Sequence, residues 1–203
     1  MVSKDDGTGR PFRMGGVPYS GSPLVPRHSP LATHHSPLFL AMQIIPFTPE
    51  KALETARLVG GTLRACNVED YGRDRIERIA EAHSAAALLE LAQRRDILLA
   101  VEAGVVVGTA SLERNWIYAM FVDPQHQGRG IGRSLLQELE RIAGARQIQR
   151  LGLYSSVSAV GFYKQMGFTV EATLDSEEHG RLTEMSKLVS PARPTGGENP
   201  KHE

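Results

Sequence analysis

The stretch of residues 116–132 constrains this chain most, because a strand, a glycine-rich loop and a helix start follow one another in it without a gap. Residues 116–122 are an uninterrupted apolar run, rich in aromatic and branched side chains, which predicts a strand buried on both faces. Asp123 and Pro124 end that run. From Ile131 onward the apolar residues recur with helical spacing, so an amphipathic helix is predicted there.

The loop between this strand and helix carries glycines at alternate positions, Gly128, Gly130 and Gly132. Because glycine has no side chain, the backbone N–H groups of such a loop can approach a ligand closely. The first N–H groups of a helix also lack acceptors within it and lie at the positive end of its dipole. The loop is therefore predicted to bind an anion of pyrophosphate size, with Arg129 and Arg133 adding positive charge nearby.

Other kinds of glycine-rich loop fit this sequence less well. A nucleotide-triphosphate loop needs Lys and then Ser or Thr after its last glycine, whereas Arg133 and Ser134 stand here. A dinucleotide-binding loop needs a further glycine three places after Gly130, where the chain has Arg133. A tight turn that binds nothing is the remaining alternative.

The loop resembles the signature of the GNAT superfamily of acetyl-CoA-dependent N-acetyltransferases, Arg/Gln-x-x-Gly-x-Gly/Ala, at Gln127, Gly130 and Gly132. Residues 156–168 resemble a second family block, N/S-x-x-A-x-x-F-Y-x-x-x-G-F, and two ordered blocks are more specific than one. The resemblance covers about residues 42–189 and implies an acyltransferase with the α/β (α+β) GNAT fold. That fold has a mixed, mostly antiparallel sheet of about six to seven strands, splayed between its two parallel middle strands, with helices on both faces.

Composition limits the partners and the compartment. With 203 residues, 41% of them apolar, the chain can hold one ordinary domain with a proper core. Lys plus Arg and Asp plus Glu number 23 each, so no global field favours nucleic acid or an anionic membrane, and we expect neither as a partner. The single cysteine, Cys66, excludes an internal disulfide and suits a reducing cytoplasm. No apolar run reaches the roughly 18 residues of a membrane span.

The two ends of the chain differ in composition from its middle. Residues 1–41 hold half of the prolines and show no sustained periodicity, which predicts a disordered leader, either vector-derived or due to an upstream start. Residues 190–203 are polar and proline-rich and are predicted to form a disordered tail. The predicted domain is therefore 42–189.

Within the domain, periodicity and turn residues predict the secondary structure. The predicted strands are 43–47, 97–101, 105–112, 116–122, 150–154, 168–174 and 181–189. The predicted helices are 49–65, 74–94, the helix from Ile131, and 156–166. We expect Thr48 to cap the first helix, Ala103 and Gly104 to turn a hairpin, and Gly167 to end the last helix.

The resemblance also implies which residues hold acetyl-CoA as co-substrate, with no metal. Backbone groups of Met120, Phe121 and Val122 would hold the pantetheine arm between the two splayed strands. The loop residues implied to bind the pyrophosphate are Gln127, Gly128, Arg129, Gly130, Ile131, Gly132 and Arg133. Ser156 and Ser158 stand where many relatives have Asn, and they are expected to bind the cofactor and to cap the following helix.

Two side chains are candidates for the proton transfers. Tyr163 is at the family position of the general acid that protonates the departing thiolate, and its alternative role is a packed aromatic ring. Glu113, just before the central strand, is the candidate general base, and its alternative is a solvated pair with Arg114. His83 lies in a helical region that covers the acceptor site in the family, although a lone histidine on a helix more often packs or faces solvent.

The implied function is acetyl transfer from acetyl-CoA to a primary amine by direct attack in a ternary complex. The acceptor is a small-molecule or peptide amine whose identity the sequence leaves open. Pairing of two copies through the last strands is plausible as a homodimer. The alternative function is a non-catalytic acetyl-CoA sensor, which would release no free thiol with any acceptor.

Overall fold

The computed structural model describes residues 42–176 and 180–189 of the 203-residue chain. They form a seven-stranded sheet in the order β1-β2-β3-β4-β5-β7-β6. The strands are β1 (Gln43–Pro46), β2 (Asp96–Glu102), β3 (Val105–Glu113), β4 (Trp116–Val122), β5 (Arg150–Ser156), β6 (Thr169–Ser176) and β7 (Gly180–Leu188). The helices are α1 (Ala52–Cys66), α2 (Val68–Tyr71), α3 (Arg73–Glu81), α4 (Ala85–Leu91), α5 (Ile131–Ala145) and α6 (Val160–Gln165).

The sheet is mostly antiparallel, and only the middle pair, β4 and β5, is parallel. Strand β1 lies at the edge, as its flanking prolines predict. The hairpin between β2 and β3 turns at Ala103 and Gly104, whose φ angles of 51° and 83° suit a tight two-residue turn. The predicted mixed sheet with two parallel middle strands is therefore confirmed.

Helices cover both faces of the first half of the sheet, and successive side chains of β2 pack alternately against the helices on the two faces. Leu98 and Ala100 pack in one buried cluster with the apolar side of α5. Ile97 and Leu99 point the other way and pack with Leu58 of α1 and with α4. Because successive strand residues face opposite sides, one short run of apolar residues supports two helical layers.

Three local predictions are wrong. Residues 74–94 are not one helix, because Ser84 interrupts them and its Oγ accepts a hydrogen bond from the Ala87 N–H at 3.4 Å, capping α4. Thr48 stands at the predicted cap position, but its side chain makes no capping hydrogen bond to the single 3-10 turn that precedes α1. Strand β4 is not buried on both faces: Ile117 alone is buried, because the strand borders an open cavity.

Several predictions concern parts of the chain that the structure does not describe. The leader at 1–41 and the tail at 190–203 lie outside the described residues, as does most of the turn between β6 and β7, at 177–179. Within the described ranges, no helix is long and apolar enough to cross a membrane.

Candidate functional site

A cavity of about 740 Å³ opens where β4 and β5 separate. Its walls come from the end of α1, from β4 and β5, from the glycine-rich loop and from α6. The sequence-predicted residues that line it are Met120, Phe121, Val122, Gln127, Gly128, Gly130, Ile131, Gly132, Arg133, Ser156, Ser158 and Tyr163. Segments far apart in the sequence therefore meet at one site. We call the part beside residues 127–133 the loop end, and the part where the two strands separate the strand end.

The two parallel strands pair over a very short distance. Only Trp116 with Gly152 and Ile117 with Leu153 are in register, and the strands diverge beyond them. Strand β4 also carries a bulge at Ala119, whose φ of 50° is in the left-handed region. The predicted splay is confirmed, and it leaves the β5-facing edge of β4 without a strand partner from residue 118 to residue 122.

At the loop end, two glycines adopt backbone angles that other residues disfavour. Gly128 and Gly130 have φ angles of 75° and 82°, and no atom lies within 4 Å of a Cβ added to either. The first hydrogen bond within α5 runs from Ser134 N–H to the Gly130 carbonyl. The N–H groups of the three residues between them therefore have no acceptor in the helix, which makes this helix start suited to an anion.

The third glycine of the loop has a different role. A Cβ on Gly132 would lie 3.2 Å from the Phe162 ring, so its lack of a side chain permits α5 to approach α6. Gln127 donates from Nε2 to the Val122 carbonyl at 3.2 Å, which fastens the loop to the end of β4. Arg129 is not among the cavity residues, because its guanidinium pairs with Glu102, whereas Arg133 lines the cavity.

Tyr163 packs its ring in the core and also lines the cavity. The side chain is 7% exposed, and its ring meets those of Phe162 and Phe168 edge to face at 5.1 and 5.7 Å between centroids. Burial raises the pKa of the phenol, so it stays protonated at neutral pH. No other described residue hydrogen-bonds its hydroxyl, which leaves this group available to a ligand.

The two serines do not form the predicted helix cap. Ser156 Oγ lies 3.2 Å from Ser158 Oγ and accepts no bond from the following helical N–H groups. The chain enters α6 through a 3-10 turn at Val157–Ala159, so the serine side chains remain on the cavity wall.

Glu113 is not brought to the cavity. Its carboxylate accepts from Arg95 at 2.6 Å and lies 3.8 Å from Arg94, and these arginines hold its pKa below the usual range, chiefly through the Arg95 hydrogen bond. His83 is likewise absent from the wall. Its Nδ1 donates to the Ile79 carbonyl at 2.8 Å, its ring packs edge-on to Phe121, and burial lowers its pKa.

The resemblance implies that the predicted helix 49–65 covers the acceptor site, but sequence reasoning did not single out its residues. Thr62 and Cys66 of α1, and Asn67 after it, line the cavity, although helical spacing alone marks them only as one side of a helix. Thr62 Oγ1 and His126 Nδ1 are buried and have no hydrogen-bond partner among the described residues, although Nδ1 lies 3.6 Å from a carboxylate oxygen of Asp123.

Comparison with known proteins identifies the family. The family model described as "Acetyltransferase (GNAT) domain" matches residues 67–189. This chain therefore belongs to the GNAT family of acetyltransferases, and the predicted fold and acyltransferase class are confirmed.

Individual relatives match with lower coverage. The peptidyl-lysine N-acetyltransferase YjaB of Salmonella typhimurium is 32% identical over 90 residues, which are 42% of this chain and 57% of that protein. The chain spans between 21% and 57% of the length of the curated relatives that it matches.

Solved structures match over more of their length. A GCN5-related N-acetyltransferase from Rhodopseudomonas palustris superposes with a TM-score of 0.66 at 28% identity, covering 72% of this chain and 95% of that one. The PaiA N-acetyltransferase from Thermoplasma acidophilum, in complex with coenzyme A, has a TM-score of 0.64 at 22% identity, covers 73% of this chain and 99% of that one, and supports the fold.

Proposed function

We propose that this chain transfers the acetyl group of acetyl-CoA to a primary amine by direct attack in a ternary complex. The observation that carries the proposal is that one cavity combines the free N–H groups of the α5 start, the unpaired edge of β4 and the protonated phenol of Tyr163. Coenzyme A in the Thermoplasma relative supports acetyl-CoA as the co-substrate. The name of the Salmonella relative supports an amine as the acceptor.

The residues present fit acetyl-CoA. The α5 start would hold the pyrophosphate through the N–H groups of Ile131, Gly132 and Arg133, without a metal. The unpaired edge of β4, at Met120 to Val122, would hold the pantetheine amides as an added strand. When bound, acetyl-CoA supplies an activated thioester whose sulfur needs a proton as it departs.

Tyr163 is the proposed source of that proton. A phenol, with a free pKa of about 10, is neutral at neutral pH and carries a proton to donate, and burial, which raises the pKa of Tyr163, keeps it so. Its hydroxyl has no other described partner. For the opposite transfer, from the acceptor ammonium, we assign no general base. Glu113 is held by Arg95 away from the cavity wall, so its assignment as the base has no support from this geometry. We propose that the proton passes to solvent.

The test is release of free thiol from acetyl-CoA in the presence of a panel of primary amines, including alkylamines, polyamines, amino acids, aminoglycosides and peptides with a free N-terminus or lysine. We expect at least one amine to give one thiol per acetylated product. If calorimetry shows CoA binding while no amine releases thiol, the chain is a sensor rather than an enzyme. The single free cysteine supports a reducing compartment such as the cytoplasm for this activity.

A further inference from the structure

A row of aromatic side chains lies on one face of the sheet at the strand end. Because Ile117 pairs with Leu153 in parallel register, the residues that follow them, Tyr118 and Tyr154, both face the opposite side of the sheet from that pair. Both tyrosines line the cavity. The Trp116 ring stacks on the Tyr154 ring with 4.9 Å between centroids, which holds Tyr154 in place although it is 46% exposed.

A carboxylate without a partner lies next to this row. Glu184 in β7 is directly opposite Tyr154 in the antiparallel register, so the two side chains share a face, with Cβ atoms typically about 5 Å apart. Glu184 is partly buried, yet it makes no hydrogen bond or ion pair with any described residue. Glu184 is not itself among the cavity residues, but Tyr154 opposite it and Leu182, two residues earlier on the same face, both line the cavity.

Other acidic side chains of the same region are neutralised within the chain. Glu171 of β6 pairs with Arg150 at 3.3 Å and accepts a hydrogen bond from Ser186. Glu113 pairs with Arg95. Glu184, by contrast, has no such partner among the described residues, so its negative charge is available to a cationic ligand.

The tyrosine faces add to the attraction for a cation. An ammonium or guanidinium over a tyrosine ring is stabilised by the ring quadrupole, and the Arg95 guanidinium already lies 4.1 Å from the centre of the Tyr118 ring. We propose that Glu184 and the Tyr154 ring form the subsite that binds the ammonium group of the acceptor, so that the enzyme selects cationic alkylamines over uncharged amines. This inference rests on the proposed function and names the acceptor class for the same site.

The first test measures binding alone, so it does not depend on turnover. NMR would follow the titration of n-butylammonium, and of its uncharged isostere n-butanol, into the full chain saturated with CoA. We expect the wild type to prefer the cation on the order of tenfold, and Glu184→Gln to lose that preference. If Glu184→Gln prefers the cation as strongly as the wild type does, the proposal is overturned.

The second test separates binding from chemistry. With n-butylamine as acceptor, Glu184→Gln should raise KM on the order of tenfold with little change in kcat, whereas aniline, which is uncharged at neutral pH, should show no difference. Tyr154→Leu, which removes the ring, should also raise KM. The matched control is Glu171→Gln, whose carboxylate is already paired, and its KM should not change.

The results distinguish failure of this inference from failure of the proposed function. A loss confined to kcat in Glu184→Gln would make the carboxylate a proton acceptor and overturn the binding role. Equal kinetics in variant and wild type would also overturn it, while leaving acetyl transfer intact. If no amine releases thiol, the proposed function is wrong. The NMR titration would still decide whether Glu184 binds an ammonium group.

Discussion

The loop end and the strand end of the cavity are built in different ways. The loop end consists of backbone groups from one continuous segment, 127–133, whose shape depends on glycines. The strand end consists of side chains from β4, β5, α6 and β7, which meet only when the sheet has formed. We infer that the loop end, together with the unpaired backbone edge of β4, determines affinity for the cofactor, whereas the side chains of the strand end determine the rate and the choice of acceptor. Variants at each end should therefore change different constants.

The largest effect is expected at the strand end. Tyr163→Phe keeps the packed ring and removes the proton, so kcat should fall roughly 10²- to 10⁴-fold while the Kd for acetyl-CoA stays unchanged. Steady-state kinetics with the best amine of the panel, together with calorimetry, would measure both. A raised KM with normal kcat would make Tyr163 a binding residue. If kcat is unchanged although the chemical step limits the rate, Tyr163 only packs in the core.

The same residue predicts the alkaline side of the pH profile. Burial raises the pKa of the phenol above its free value of about 10, and the protonated form is the active one. The donor is therefore fully present below about pH 10 and is lost only as the pH rises through the higher, folded pKa. We expect kcat to show no alkaline limb below about pH 9. An alkaline limb near neutrality that Tyr163→Phe abolishes would contradict the raised pKa.

At the loop end, Gly130→Asp should weaken CoA binding on the order of a hundredfold or more. The aspartate brings negative charge to the helix start that binds the pyrophosphate and strains a backbone with a φ of 82°. Calorimetric titration of CoA measures the loss. Gly104→Asp is the matched control, because its φ is 83° and it lies in the β2–β3 turn, outside the cavity wall. If CoA binds Gly130→Asp with wild-type affinity, the pyrophosphate lies elsewhere.

A smaller effect is expected at Glu113, which lies at neither end of the cavity. Because Arg95 and Arg94 hold its carboxylate away from the cavity wall, Glu113→Gln should change kcat by less than about threefold, the size of an effect that ion-pair loss transmits through packing. The pH dependence of kcat would be compared with that of the wild type. A fall of a hundredfold with loss of the acid limb would restore Glu113 as the general base.

The smallest effect is expected from the ends of the chain. From composition alone, we propose that residues 1–41 and 190–203 contribute nothing to the stability of the fold. We therefore propose that residues 42–189 are the folded domain, and that truncation to this range leaves Tm nearly unchanged. Thermal unfolding of both chains measures the difference. A drop of several degrees would show that a terminal segment packs on the domain.

The same contrast explains what the sequence could predict. The glycine-rich loop and the strand and helix on either side of it follow from patterns that are local in the chain, because local patterns determine backbone conformation there. The parallel pairing of β4 with β5 and the position of Tyr163 are implied by the resemblance to the family. The pairing of Arg129 with Glu102, and of Glu113 with Arg95, depends on side chains 27 and 18 residues away, which no local pattern encodes. The position of Glu184 beside Tyr154 likewise depends on the register of β5 with β7.

The division between the two ends can be tested in one measurement. The single-turnover rate of acetyl transfer to a saturating amine, followed against acetyl-CoA concentration, gives both the affinity and the chemical rate constant. We predict that Gly130→Asp shifts the half-saturating concentration of acetyl-CoA and keeps the limiting rate, whereas Tyr163→Phe lowers the limiting rate and keeps the half-saturating concentration. If either variant changes both constants together, the two ends of the cavity do not have separate roles and this account is wrong.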